Sequence, residues 1–163
     1  MDKVDSLDRS PFNGALETGL RAVMALHASF PRELDIQRLT ALDYLIVRTS
    51  LLDGPEDLHP STPITTPVTQ VRRKAVYAAL DLLMSRELVE RSITDQGIYY
   101  RAGEYSSFFV EALTTSYAQR LLDRAKWIAL YFEEYNETQF DTPMSELLDD
   151  WVAEFQDDFT ASE

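Results

Sequence analysis

The sequence contains no cysteine, which excludes a disulfide framework and any thiolate metal site. No stretch approaches the roughly 18 consecutive apolar residues of a membrane-spanning helix. The polar first ten residues lack the apolar region of a secretory signal. We therefore expect a soluble, cytoplasmic protein with no membrane partner. With 163 residues, 45% of them hydrophobic, the chain can form one domain with a substantial core.

Patterns that would indicate catalysis are also missing. There is no glycine-rich phosphate loop ending in Lys-Ser/Thr and no Gly-x-Ser-x-Gly nucleophile turn. The two histidines, His27 and His59, are far apart in sequence, and neither has a second ligand at metal-binding spacing. Adjacent carboxylates such as Asp149 and Asp150 would point in different directions on a helix, which favours a solvated acidic face over a cation site. We expect no enzyme activity, no metal and no cofactor.

Lysine and arginine are absent from the last 31 residues, which hold 11 of the 28 acidic residues. Apolar residues recur there at helical spacing, at Met144, Leu147, Leu148, Trp151, Val152, Phe155 and Phe159. The pattern predicts an amphipathic helix whose apolar stripe must be buried, either on this chain's own core or on a partner. Packing on the helix predicted over 116–135 suits Leu147, Leu148 and Trp151. A partner suits Phe159, and Trp151, Phe155 and Phe159 are the candidate partner-binding aromatics.

The periodicity predicts a mainly α fold, namely a winged helix-turn-helix domain with a short β-hairpin wing, followed by additional C-terminal helices. The predicted order is helices near 15–29, 36–51 and 68–86, strands at 88–94 and 98–102 with a turn at 95–97, and helices at 105–113, 116–135 and from 143. The third helix should face inward with Val68, Val71, Ala75, Val76, Ala79, Leu82 and Leu83. We divide the chain into a flexible lead-in (1–12), a winged-helix domain (13–103) and a C-terminal helical extension with the acidic amphipathic helix (104–163).

The loop predicted over 54–67 carries four prolines and is long for a compact domain. It is either a functional loop that inserts Leu58 and His59 into a partner groove or a rigid, proline-braced connection.

Arg72, Arg73 and Lys74 form the strongest candidate contact to DNA backbone or to an acidic partner. They fall in the first turns of the predicted recognition helix. Their other interpretation is a solvated face with local pairs to Asp81 or Glu90. A pI near 4.5 and a wing tip at 94–97 without lysine or arginine argue against a free-standing DNA-binding protein.

An ordered set of short motifs resembles a known family. The motifs are Asn13-Gly14-Ala15-Leu16-Glu17, Gly19-Leu20-Arg21, Leu34-Asp35-x-x-Arg38-Leu39, Leu42-Asp43-Tyr44, Val47, Gly54-Pro55, Leu58-His59-Pro60, Val71-Arg72-Arg73, Ser85-Arg86-x-Leu88-Val89 and Gly97-Ile98-x-Tyr100. Over residues 11–127 they are similar to the middle component, type 2, of bacterial ABC-three-component systems. The family usually has Ser-Pro where this chain has Gly14-Ala15.

This resemblance implies a non-catalytic accessory subunit of a Lamassu-type anti-phage defence complex. Its partners would be an SMC- or Rad50-like ABC ATPase and an effector, often a nuclease, which the subunit helps to restrain. DNA would be contacted only indirectly or through weak backbone contacts. Two other functions stay open. A winged-helix transcriptional regulator should homodimerise and bind DNA with steep salt dependence, and an antitoxin-like inhibitor would contact the effector alone.

Overall fold

The structure, a computed structural model, describes residues 14–59 and 68–133, with the backbone alone for residues 68–71. Its elements are helices α1 (Ala15–Ser29) and α2 (Ile36–Leu45), a short 3-10 helix (Thr49–Leu52), helix α3 (Val68–Ser85), strands β1 (Val89–Thr94) and β2 (Gly97–Ala102), and helices α4 (Ser106–Ala112) and α5 (Ser116–Glu133). The predicted fold class is confirmed, because the element order is that of a winged helix-turn-helix followed by further helices.

Helix α1 is the centre of the molecule. It packs against α2, α3, α4, α5 and β2, and residues 22–26 are buried without interruption. The middle of the helix, with neighbours on every side, has no solvent-exposed face, which fits the run Ala22-Val23-Met24-Ala25-Leu26. Arg21, which precedes this run in the helix, is also buried, with an exposed fraction of only 2%.

Helix α2 is shorter than the sequence predicted, which is a correction. Asp35 caps its start, accepting a hydrogen bond from the Arg38 amide at 2.8 Å. The helix ends at Leu45 rather than near 51 because the following backbone pairs with the loop. The Val47 carbonyl accepts from the amides of Leu58 and His59 at 3.0 and 3.3 Å. The Thr49 hydroxyl donates to the Pro55 carbonyl at 2.7 Å.

Helix α3 buries a stripe of four residues at helical spacing, Val76, Ala79, Leu80 and Leu83. Leu82, predicted to face inward, is 41% exposed, so this prediction was wrong by a fraction of a turn. The helix ends in a Schellman motif, in which the Leu88 amide donates to the Leu83 carbonyl and the Glu87 amide to the Met84 carbonyl. Glu87 takes the left-handed conformation that the motif requires, with φ 61°.

The wing is an antiparallel hairpin in which Val89 lies opposite Ala102 and Thr94 opposite Gly97. Gly97 ends the turn that the sequence predicted at 95–97, and it has a positive φ of 139°. On the other edge of β2, Leu34 exchanges two backbone hydrogen bonds with Tyr100, at 2.8 and 2.9 Å. This bridge joins the α1–α2 connection to the wing.

Helix α5 packs on α1 through Ala118, Leu121, Ala125, Ile128 and Phe132, and α4 packs on α1 as well. The predicted acidic helix lies outside the described residues. The domain boundaries at 12 and 103 stay predictions.

Replacing glycine by alanine should have opposite effects on stability at two positions. At Gly103 a Cβ would lie 2.5 Å from the Glu87 carbonyl oxygen and 3.0 Å from the Leu88 carbonyl carbon, both of them backbone. Gly103→Ala should lower the free energy of unfolding by about 1–3 kcal/mol. At Gly19, inside α1, a Cβ would meet Ala79 and Leu83 at ordinary distances of 3.9 and 4.0 Å. Gly19→Ala should therefore raise stability by up to about 1 kcal/mol. Urea unfolding of both variants checks the pair, and a neutral Gly103→Ala would contradict the close approach.

Candidate functional site

Three charged residues from three helices meet in the interior. Asp43 of α2 accepts a hydrogen bond from Arg21 Nε of α1 at 2.6 Å on one carboxylate oxygen. Its other oxygen accepts from Arg72 Nη1 of α3 at 2.5 Å. The side chains of Arg21 and Asp43 are each 2% exposed, and that of Arg72 is 15% exposed. We call these three residues the ion triad. Because a buried charge is tolerated only when it is paired, Arg21 and Arg72 each depend on Asp43, and the Asp43 carboxylate depends on them.

Aromatic and cationic side chains continue the site beyond the ion triad. The guanidinium carbons of Arg48 and Arg72 each lie 5.2 Å from the centre of the Tyr44 ring, within cation–π range. Arg21 also donates to the Thr18 hydroxyl at 3.3 Å. Arg73, the neighbour of Arg72, is half-buried. The site therefore concentrates positive charge inside a chain whose net charge is −13.

His59 closes the site from the loop. Its Nε2 lies 2.9 Å from the Tyr117 hydroxyl of α5, and the two rings are stacked with 9° between their planes. Burial first, and then the positive charges of Arg21, Arg48 and Arg72, lower the pKa of His59 to about 4, against a smaller opposing effect of Asp43. The imidazole is therefore neutral at physiological pH. Burial also raises the pKa of the Tyr117 phenol.

The start of the loop is tied to α5 at two more points. Arg124 donates to the Glu56 carbonyl through Nε and Nη2, at 3.1 and 2.9 Å. Gly54 lies against the Trp127 ring so closely that a Cβ there would be 2.5 Å from a ring carbon. Up to His59, the loop is thus braced on this chain's own core, and Leu58 packs there too.

Sequence reasoning found part of this site and missed the rest. It singled out His59 and Arg72, but as contacts to a partner or to DNA; Arg72 instead turns inward to Asp43, not to Asp81 or Glu90. It missed Arg21, Asp43 and Tyr117. A signal was present for Arg21, because a single arginine in an otherwise apolar buried helix requires a buried acid. The motifs that carry the family resemblance contain Arg21, Asp43, Tyr44, His59 and Arg72, which the fold brings together.

The exposed face of α3 and the wing form a second surface, with mixed character. Tyr77 and Asp81 of α3 and Arg91 of β1 surround the Tyr100 phenol, whose pKa is raised chiefly by burial. Ile93 and Ile98 lie opposite each other near the wing tip, and Ile93 is 73% exposed.

Of the predicted basic cluster on α3, only Lys74 is exposed. Arg72 is bound to Asp43 and Arg73 is half-buried, so this face of α3 presents fewer cations than the sequence indicated.

The remaining candidates fall outside the described residues or lack the chemistry of a site. Trp151, Phe155 and Phe159 lie outside them. Within residues 14–59 and 68–133, no group of three or more His, Asp or Glu side chains could hold a metal ion. In the same ranges, no helix combines the length and apolar character needed to cross a membrane.

Removing the shared carboxylate should unfold the site. Asp43→Ala leaves Arg21 buried without its ion-pair partner, and the free energy of unfolding should fall by about 3–5 kcal/mol. The matched control is Glu90→Ala, which removes an ion pair of similar length, 2.7 Å to Arg101, between half-exposed side chains. Its effect should stay below about 1 kcal/mol. Chemical unfolding of both variants measures the difference, and equal effects would contradict a buried, mutually dependent triad.

Acid should weaken the fold through His59. In the unfolded chain the imidazole has a pKa near 6.5, and in the folded chain its pKa is about 4. Between these values the unfolded chain binds a proton that the folded chain does not, so stability falls as the pH drops from about 6.5 to about 4. His59→Gln, whose amide can still bond to Tyr117, should lose this component. Unfolding free energies measured inside and above this window give the comparison; parallel pH profiles would contradict a buried neutral His59.

Comparison with known proteins agrees with the motifs. The family model of the ABC-three component (ABC-3C) system Middle Component 2 matches residues 11–154. The match extends beyond residue 127, where the motif resemblance ends, and includes Trp151 but not Phe155 or Phe159. No curated protein and no solved structure matches the chain. The matched residues span most of the sequence, so the chain belongs to the Middle Component 2 family of ABC-three component systems.

Proposed function

We propose that this protein is a non-catalytic accessory subunit of a Lamassu-type anti-phage complex in the bacterial cytoplasm. It binds an SMC- or Rad50-like ABC ATPase and helps to restrain an effector, which we propose is a nuclease. The observation that carries this proposal is the family match over residues 11–154, which makes the chain one component of a multi-component system.

The chemistry of the described site supports an assembly role. Its charged groups are used in contacts between helices of this chain, namely Arg21 and Arg72 with Asp43 and His59 with Tyr117. Such contacts fix a shape, and a fixed shape is what an adaptor offers to its partners. The exposed α3–wing surface carries Tyr77, Ile93 and Ile98, side chains that suit a protein partner better than a phosphate backbone.

We propose three parts of the partner interface. The first is the loop at Leu58 and His59. Because these two residues are anchored on this chain's core, they would hold the proline-rich residues that follow in a position to contact a partner. The second is the acidic segment, with its carboxylates and with Phe155 and Phe159 beyond the family match. Trp151 belongs to the same predicted stripe. The third is the start of α3, where Lys74 and the edges of Arg72 and Arg73 would meet an acidic partner or a DNA phosphate.

Electrostatics favours the acidic segment as an orienting element. ATPase heads that handle DNA tend to be basic, and the last 31 residues of this chain carry 11 carboxylates and no lysine or arginine. Opposite fields raise the rate of encounter and favour one orientation of the complex. The same carboxylates would occupy a basic channel until DNA displaces them.

The test is a pull-down of the tagged chain from cells that express its own operon. We expect a large ABC ATPase and an effector to be recovered with the full chain. The full chain is compared with a variant that keeps the apolar stripe but carries Gln or Asn in place of six acids, namely Glu146, Asp149, Asp150, Glu154, Asp157 and Asp158. It should recover less of the ATPase or activate the effector without DNA.

The control is the neutralisation of three exposed acids away from these surfaces, Glu104, Glu111 and Asp123, which should leave recovery unchanged. Recovery of the chain alone, as a dimer that binds its own promoter, would overturn the proposal in favour of a transcriptional regulator. Recovery of the effector without an ATPase would favour the antitoxin-like function instead.

A further inference from the structure

We infer that β1, the outer strand of the wing, pairs edge to edge with β1 of a second copy of this chain. The two hairpins would then form one antiparallel sheet around a two-fold axis at Ile93. This inference goes beyond the proposed function and does not depend on it, because it concerns the contact between two copies of the isolated chain.

The backbone of β1 has a free edge. Leu34 and Tyr100 exchange two hydrogen bonds on the far side of β2, so the polar backbone groups of Tyr100 point away from β1. Arg91 lies opposite Tyr100, and opposite residues of an antiparallel pair alternate between bonding each other and bonding outward. The N–H and C=O groups of Arg91, and of Ile93 two residues later, therefore point away from β2. Among the described residues, no backbone group of another element bonds to them.

This edge lacks the features that usually keep a free strand from pairing. Such strands are commonly protected by lysine, by proline or by a bulge. The sequence of β1 has neither lysine nor proline, and each of its residues has a single partner in β2. At the edge Ile93 is 73% exposed, and Ile98 opposite it is 47% exposed. A further strand that covers this apolar pair would gain free energy.

The edge is complementary to itself about Ile93, which favours a second copy as the occupant. Antiparallel pairing centred there places the Ile93 side chains of the two copies opposite each other, between the two Ile98 side chains. Arg91 precedes Ile93 by two residues and Asp95 follows it by two, so Arg91 of each copy lies opposite Asp95 of the other. Both residues are exposed. A register centred on Arg91 would instead place two like charges opposite each other.

The charge of the wing also permits contact between two copies. Residues 89–102 contain two acids, Glu90 and Asp95, and two arginines, Arg91 and Arg101, so the wing is neutral within a chain of net charge −13. Charges farther apart than about 8 Å are largely screened at physiological salt, so the rest of the two chains opposes the contact only weakly. Because two short strands bury little area, we expect a weak and reversible dimer.

The experiment is sedimentation velocity of the full chain, without partners, over the micromolar range. We expect the wild type to shift from monomer to dimer as its concentration rises. Arg91→Glu places an acid opposite Asp95, and Asp95→Arg places an arginine opposite Arg91. Each should weaken the dimer by roughly tenfold or more, because two repulsive pairs replace two attractive ones. The control Arg120→Glu makes the same change of charge at an exposed position of α5 and should have no effect.

An equimolar mixture of Arg91→Glu and Asp95→Arg tests the register directly. A dimer with one chain of each variant regains both pairs of opposite charge, so the mixture should associate although neither variant does so alone. Damage to the fold of either variant would not be repaired by mixing. Ile93→Lys gives a second test, because this side chain is mostly exposed in the monomer and its replacement should abolish the dimer without unfolding the chain. Circular dichroism of each variant checks the fold.

A chain that stays monomeric over the whole range would overturn the inference. So would a dimer that survives both single charge reversals, which would lie at another surface. Weakening by the single reversals without recovery in the mixture would overturn the register and with it the inference. A failed pull-down with an intact wing dimer would overturn the proposed function alone, and a monomeric chain that recovers the ATPase would overturn this inference alone.

Discussion

The structure depends on the burial of one positive charge at its centre. Helix α1 has neighbours on all sides, and Arg21 within it requires an acid at 2.6 Å, which α2 supplies as Asp43. The second oxygen of the same carboxylate then binds Arg72 of α3. A buried ion pair adds little net stability compared with an apolar replacement, but a wrong arrangement leaves an uncompensated charge in the interior. The triad thus selects one arrangement of the three helices among those that the apolar residues alone would permit.

The same charges shape the surface that the protein presents. Since Arg72 is held inside, the exposed face of α3 keeps Lys74, Tyr77 and Asp81, and the wing beside it keeps Ile93 and Ile98. Burial, together with the positive charges of the site, lowers the pKa of His59, and the neutral imidazole lies against Tyr117. The interior and the surface therefore point to the same kind of protein, one that holds a fixed shape for its partners.

Local patterns allowed most of the elements to be predicted, and contacts distant in sequence account for the errors. Hydrophobic spacing and the turn at Gly97 located four helices and the wing, because those signals act within a few residues. Helix α2 was predicted too long because the Val47 carbonyl serves the loop, a pairing that no local signal carries. Arg72 was predicted to face solvent because its partner, Asp43, lies 29 positions earlier. A basic run on a helix gives no information about which of its members finds a buried acid.

Helix α3 is fixed at both ends. Near its start Arg72 is bound to α2, and at its end the Leu88 amide closes on Leu83 while the Leu88 carbonyl accepts from Gly103 after the wing. A rod clamped at two points cannot rotate about its long axis. A force applied to the wing would therefore be transmitted through α3 to α1 and α2 as a displacement of the whole unit, as by a stiff lever rather than by a hinge.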